Sequence, residues 1–86
     1  MPKIKGWKKV YEDKIIIDFI NEIPPWKIES RGGISCVRII RSYNPETSKD
    51  FWSVKLEGKS NKYYSFKTKK QALKFAINWM RKHPKG

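Results

Sequence analysis

The side chains that could carry catalysis are sparse. His83 is the single histidine and Cys36 the single cysteine. A nucleophile needs a neighbouring base to activate it, and His83 lies in the C-terminal tail with no such pair in view. One cysteine and one histidine also fall short of the four ligands of a structural zinc site. Asp18 and Glu22 sit four apart and would share one face of a helix, where such a pair reads as a solvated surface. No G-x-x-x-x-G-K run is present to cradle a phosphate. Arg31-Gly32-Gly33 is a single copy of an RNA-binding tripeptide and reads as a turn. These residues argue against an enzyme and call for no metal or cofactor. Cys36 is expected as a small buried residue of a central strand.

What the chain has in abundance is positive charge interleaved with aromatic rings. The 86 residues carry 20 basic and 8 acidic side chains, a net charge of +12 and a pI near 10.0. Met1 to Tyr11 holds four lysines and no acid, whereas Glu12 to Glu29 holds five acids against Lys14 and Lys27. Ser30 to Gly86 then holds 14 basic and three acidic residues. Such a field favours polyanionic partners. A thermophile-type surface is also rich in Lys and Ile, but it raises Glu together with Lys, and Glu is scarce here. No segment approaches the roughly 18 apolar residues of a membrane span, and the N-terminus lacks a signal-peptide core. A membrane partner is therefore not expected. With one cysteine, no internal disulfide can form, which fits a cytoplasmic location.

The elements that must position these residues are clearest between Phe51 and Lys82. Trp52, Val54 and Leu56 alternate with Phe51, Ser53, Lys55 and Glu57, and Tyr64 and Phe66 alternate with Tyr63, Ser65 and Lys67. Period-two alternation predicts two strands with one buried and one wet face, joined by a turn at Gly58 to Asn61. Thr68 followed by Gln71 has the spacing of a capping box, in which each side chain satisfies the other's backbone donor. At 100° per residue Ala72, Leu73, Phe75, Ala76, Ile77, Trp79 and Met80 share one face. Pro84 ends this helix. The helix should roof the Trp52, Val54, Leu56, Tyr64, Phe66 face, with its small alanines allowing close approach. The other sheet face is left open.

Elsewhere Met1 to Gly6 reads as a loose basic tail and residues 83–86 as a C-terminal tail. Trp7 to Tyr11 reads as an edge strand, with Trp7 and Tyr11 on one side and Val10 on the other. Lys14 to Ile23 is ambiguous. Its isoleucines favour a strand, but they also form one helical arc that Asp13 could cap and Pro24-Pro25 would end, and the helix is preferred. Trp26 to Glu29 reads as extended. Ile34 to Tyr43 is the longest strand, apolar on both faces and so expected to be covered on each. The sum is one small α+β domain: a three- or four-stranded antiparallel sheet packed on a C-terminal amphipathic helix, with one early helix.

The open face places Phe51, Ser53 and Lys55 beside Tyr63, Ser65 and Lys67. The long strand adds either Arg38 or the Arg41/Tyr43 set, depending on register. Aromatics stack bases at about 1–3 kcal/mol each, and cations neutralise phosphates. Lys67, Lys69 and Lys70 crowd the positive end of the helix dipole, where a bound anion would relieve them.

Two short motifs carry family resemblances. Trp52 to Ala76, W-S-V-K-L-E-G…Y-S-F-K-T-K-K-Q-A-L-K-F-A, resembles the strand–strand–helix end of integrase arm-type DNA-binding domains. Those lay a three-stranded sheet on DNA. The T-K-K-Q-A-L-K-F-A piece is also similar to the last helix of double-stranded-RNA-binding domains, which implies that Lys69 and Lys70 grip phosphates. The G-P-x-H signature of that family is missing. Size, lysine content and aromatics are similar to small archaeal single-strand-binding proteins. The expected function is non-catalytic nucleic-acid binding, DNA ahead of RNA, with single strands slightly favoured. The alternative is a protein-interaction or homodimer-forming module using the same aromatic face.

Overall fold

Five runs of β-branched and aromatic sequence pair in chain order into one antiparallel meander: β1 (Trp7–Glu12), β2 (Ile16–Asn21), β3 (Ile34–Asn44), β4 (Lys49–Gly58) and β5 (Lys62–Phe66). Two helices join them among the described residues, α1 (Pro25–Glu29) and α2 (Lys69–Lys82). The computed structural model describes residues 4–58 and 60–86. The α+β class and the terminal helix agree with the sequence. The sheet has five strands rather than three or four.

The extra strand comes from Lys14 to Ile23, which is not a helix. Ile17 and Phe19 point into the core, while Ile16 and Ile20 face the other way. β-branched side chains lose rotamer freedom in a helix and fit a pleated surface, so the isoleucine run follows its propensity. Asp13 does supply a cap, but to a hairpin. Its Oδ1 accepts hydrogen bonds from the backbone N–H groups of Ile15 and Ile16, both at 2.7 Å. Pro25 opens α1 instead of ending a helix, since proline is well suited to the first turn. Trp26 to Glu29 is accordingly helical and not extended.

Cross-strand partners point to the same side of a sheet, so the register assigns the two faces. On one face lie Ile17, Phe19, Val37, Ile39, Trp52, Val54, Leu56, Tyr64 and Phe66. Helix α2 covers this face with Ala72, Ala76 and Met80, all fully buried. Each large side chain buried here contributes about 1.5–3 kcal/mol. Thr68 Oγ1 accepts from the Gln71 N–H at 3.2 Å, so one half of the expected capping box is formed. Among the described residues the reciprocal bond from the Gln71 side chain is not made, and Gln71 lines a cleft beside β5. Tyr64 packs on Phe75 with ring centroids 4.8 Å apart, yet it remains 38% exposed, because β5 is the sheet's outer strand.

A bulge between Lys9 and Tyr11 breaks the alternation of β1. Trp7 enters the core while Tyr11 pairs with Asp18 on the opposite face, so the two do not share a side as expected. β3 is central, but only its Val37 and Ile39 side is roofed. Cys36 is half-buried on the uncovered side, opposite Ile20 and Glu57.

Neither end of the chain is loose where it is described. Ile4 belongs to the core, and the Gly6 carbonyl accepts from the Glu22 N–H. Residues 1–3 of the predicted basic tail lie outside the described residues. At the other end the Trp7 indole Nε1 donates to the His83 carbonyl at 2.8 Å, and Asn21 Nδ2 donates to the Pro84 carbonyl at 3.2 Å. Gly6 has φ +83° and abuts the Pro84 carbonyl, so neither its conformation nor its surroundings accept a side chain.

Candidate nucleic-acid interface

The uncovered sheet face is built by the same alternation that builds the core. β4 presents Phe51, Ser53, Lys55 and Glu57 there, and β5 adds Tyr63 and Ser65. The register of β3 settles which of its cations joins them: Arg38 lies directly opposite Lys55. Arg41 pairs with Trp52 and Tyr43 with Asp50, so both belong to the other side of β3 and leave the platform. Arg41 is held by an ion pair to Asp50.

Two of the platform cations already have partners. Arg38 Nε donates to Asp18 Oδ1 at 2.8 Å across the β2–β3 ladder. Lys55 Nζ meets Glu57 Oε1 at 2.7 Å along one strand face and lies 5.5 Å from the centre of the Tyr63 ring. The hydrogen bond that Lys55 donates to Glu57 holds the Glu57 carboxyl below the usual range and raises the Lys55 ammonium. Burial, with the Glu57 charge nearby, pushes the Cys36 thiol up to about 11, so it stays protonated at neutral pH and is a poor nucleophile. Towards β1 and β2 the face turns apolar with Ile16, Ile20 and Ile40. Its charges are thus largely balanced within the face.

The cations of β5 and α2 differ. After Glu57 the chain contains nine basic residues and no acid. Among the described residues, none of those on β5 or α2 enters an ion pair. Lys69 turns back over the indole of Trp52, with its Nζ 5.7 Å from the ring centre. Lys67, Lys70 and Lys74 are exposed. Comparison with protein-family models, with curated proteins and with solved structures returned no match. The chain must be read from its own chemistry.

That chemistry gathers at the end of β5. A cleft of about 550 Å³ opens between the β3–β4 hairpin and the β5–α2 connection, bringing Phe51 together with Lys49 and Lys67. Lys49, at the first position of β4, was not picked out by pattern, because it sits beyond the clear alternation. The expected residues therefore divide into three groups. Phe51, Lys55, Tyr63 and Arg38 share the open face, Lys67, Lys69 and Lys70 flank its β5 end, and Arg41 with Tyr43 falls on the other side.

Proposed function

We propose that the protein binds nucleic acid without catalysing a reaction on it, DNA ahead of RNA and single strands ahead of duplex. Phe51 and Tyr63 would stack bases, and Lys67, Lys69, Lys70 and Lys49 would hold phosphates. Arg38 and Lys55, tied to carboxylates, would brace the platform. The observation that carries this reading is the meeting of Phe51 with Lys49 and Lys67 in one cleft, where Asp50 is engaged by Arg41, beside β5 and α2, which themselves carry no acid. A neutral ring beside ammonium groups that enter no ion pair among the described residues offers both terms that single-strand binding uses, stacking and counterion release.

Fluorescence anisotropy of a labelled oligonucleotide at several salt concentrations tests it. Three or four neutralised phosphates give a slope of log K against log salt of about −2 to −3. An affinity independent of salt, or none at low salt, overturns the proposal.

One observation favours a second reading. The open face is nearly charge-balanced and carries Ile16, Ile20 and Ile40, so two copies could approach there despite a net charge of +12 each. A solution mass of twice the monomer without oligonucleotide would favour that homodimer.

A further inference from the structure

Three surface clefts share residues in sequence. The cleft holding Lys49 and Phe51 also takes in Ser65, Phe66 and Lys67. The same three residues form one wall of a second cleft, whose other wall is α2 at Gln71, Lys74, Phe75 and Asn78. Lys74 and Asn78 in turn belong to a third, along α2 with Lys70, Ile77 and Arg81. The clefts therefore adjoin in series and together form one path, or trough, over the surface, which crosses the crest of α2 at Lys74 and Asn78. It passes from the open sheet face, round the end of the edge strand β5, to the outer flank of the helix that covers the opposite face. Phe51 and Phe66 mark the crossing, because alternation puts them on opposite sides of the sheet.

The trough has the chemistry of a polyanion track. Lys49, Lys67, Lys70, Lys74 and Arg81 are spaced along it, and its single acid among the described residues, Asp50, is already engaged by Arg41. The amides of Gln71 and Asn78 add neutral hydrogen-bonding groups between the cations. The floor at Phe66 and Phe75, with ring centroids 5.2 Å apart, is apolar and suits the faces of bases.

Its shape restricts the occupant. The molecule measures 41 × 27 × 20 Å, so the trough turns from one face of the sheet to the other within a few tens of ångströms. Duplex DNA has a persistence length of about 50 nm, and even a 40–90° bend spread over 20–30 base pairs costs roughly 1–6 kcal/mol. A turn confined to a fraction of that length costs more, since elastic energy rises as the arc shortens. A single strand follows it freely. We infer that the trough is the track of a single-stranded nucleic acid, which enters over Phe51 and leaves along Lys74 and Arg81. This rests on the nucleic-acid reading above, but it places half of the contacts on α2, beyond the sheet platform and the helix start.

The test compares the wild-type protein with a Lys74→Ala/Arg81→Ala double variant. Both positions are exposed, so circular dichroism and thermal midpoint should be unchanged. Anisotropy is read with one labelled single strand and with the same sequence as a duplex. The expected result is a roughly 10- to 30-fold loss of single-strand affinity at about 0.1 M salt, with the salt slope shallower by about 1.4. Wild-type protein should prefer the single strand over the duplex. If wild type binds but the double variant binds equally well, the track is wrong while the sheet-face reading stands; if duplex binds as tightly as single strand, the track falls and the proposed single-strand preference falls with it. If wild type binds neither, both fall together.

Discussion

Tyr63 stands 65% exposed at the outer strand of the sheet, with the Lys55 ammonium over its ring and Glu57 holding that ammonium. A ring so placed contributes little to the core, and its face is available to a planar ligand. Replacing Tyr63 with alanine should weaken single-strand binding by about 1–2 kcal/mol, roughly 5- to 30-fold, and leave the thermal midpoint within a degree or two. Tyr63→Phe should retain the affinity, because stacking uses the ring and not the hydroxyl. A titration in which both variants lose affinity equally would assign the effect to the hydroxyl instead. At this scale the alternation was readable: Phe51, Ser53, Lys55, Tyr63 and Ser65 share the face that period two assigns them. The partners were not. Asp18 meets Arg38 from 20 residues away, a pairing set by the β2–β3 register and invisible to local pattern.

The β1–β2 hairpin shows why the element at Lys14 to Ile23 was misread. A helix cap and an Asx turn use the same chemistry, a short carboxylate accepting from N–H groups two and three residues ahead. Asp13 makes those bonds to Ile15 and Ile16, and the strand that follows keeps the isoleucines on alternating sides. Local sequence offered both outcomes, and pairing with β3 decided between them. The strand–turn–strand–helix from Phe51 to Lys82 had no such ambiguity, because its period changes from two to 3.6 at a capped boundary. The hairpin makes a prediction about acid stability. The Tyr11 hydroxyl, donating to Asp13 Oδ2 at 2.6 Å, together with the Ile16 and Ile15 N–H groups, holds the Asp13 carboxyl below its usual range. A carboxyl depressed on folding stabilises fully above the unfolded value, about pH 4, and that stabilisation disappears as pH falls through the lower native value. Thermal midpoints measured from pH 6 to pH 2 should therefore drop on the acid side. Asp13→Asn should drop less steeply, because it has no proton to take up. An identical acid limb in wild type and variant would remove Asp13 from the account.

Across the whole molecule the two chain ends close on each other, and neither sequence end announced it. The first strand docks through Trp7, whose ring meets Trp79 edge-on at 5.9 Å and whose N–H donates to the His83 carbonyl. The second docks through Asn21, 5% exposed, whose amide donates to the Pro84 carbonyl while its oxygen accepts from Ile23. Four residues past the helix thus hold β1 and β2 to the C-terminal end of α2. Removing residues 83–86 leaves the Trp7 indole N–H and the Asn21 amide without their acceptors. An unsatisfied buried donor costs about 1–3 kcal/mol, so the loss of two acceptors should cost roughly 2–6 kcal/mol. That is a large part of the 5–10 kcal/mol expected of a domain this size. Denaturant unfolding measures the total, and hydrogen exchange locates it. Protection should fall first in β1 and β2, while β4, β5 and the start of α2 keep theirs relative to the new global stability. The deletion removes one lysine, Lys85, which does not line the trough, so oligonucleotide affinity of the folded fraction should change little. A truncated protein that stays as stable as the full chain, or that loses protection at β5 before β1, would show that the ends are not joined in this way.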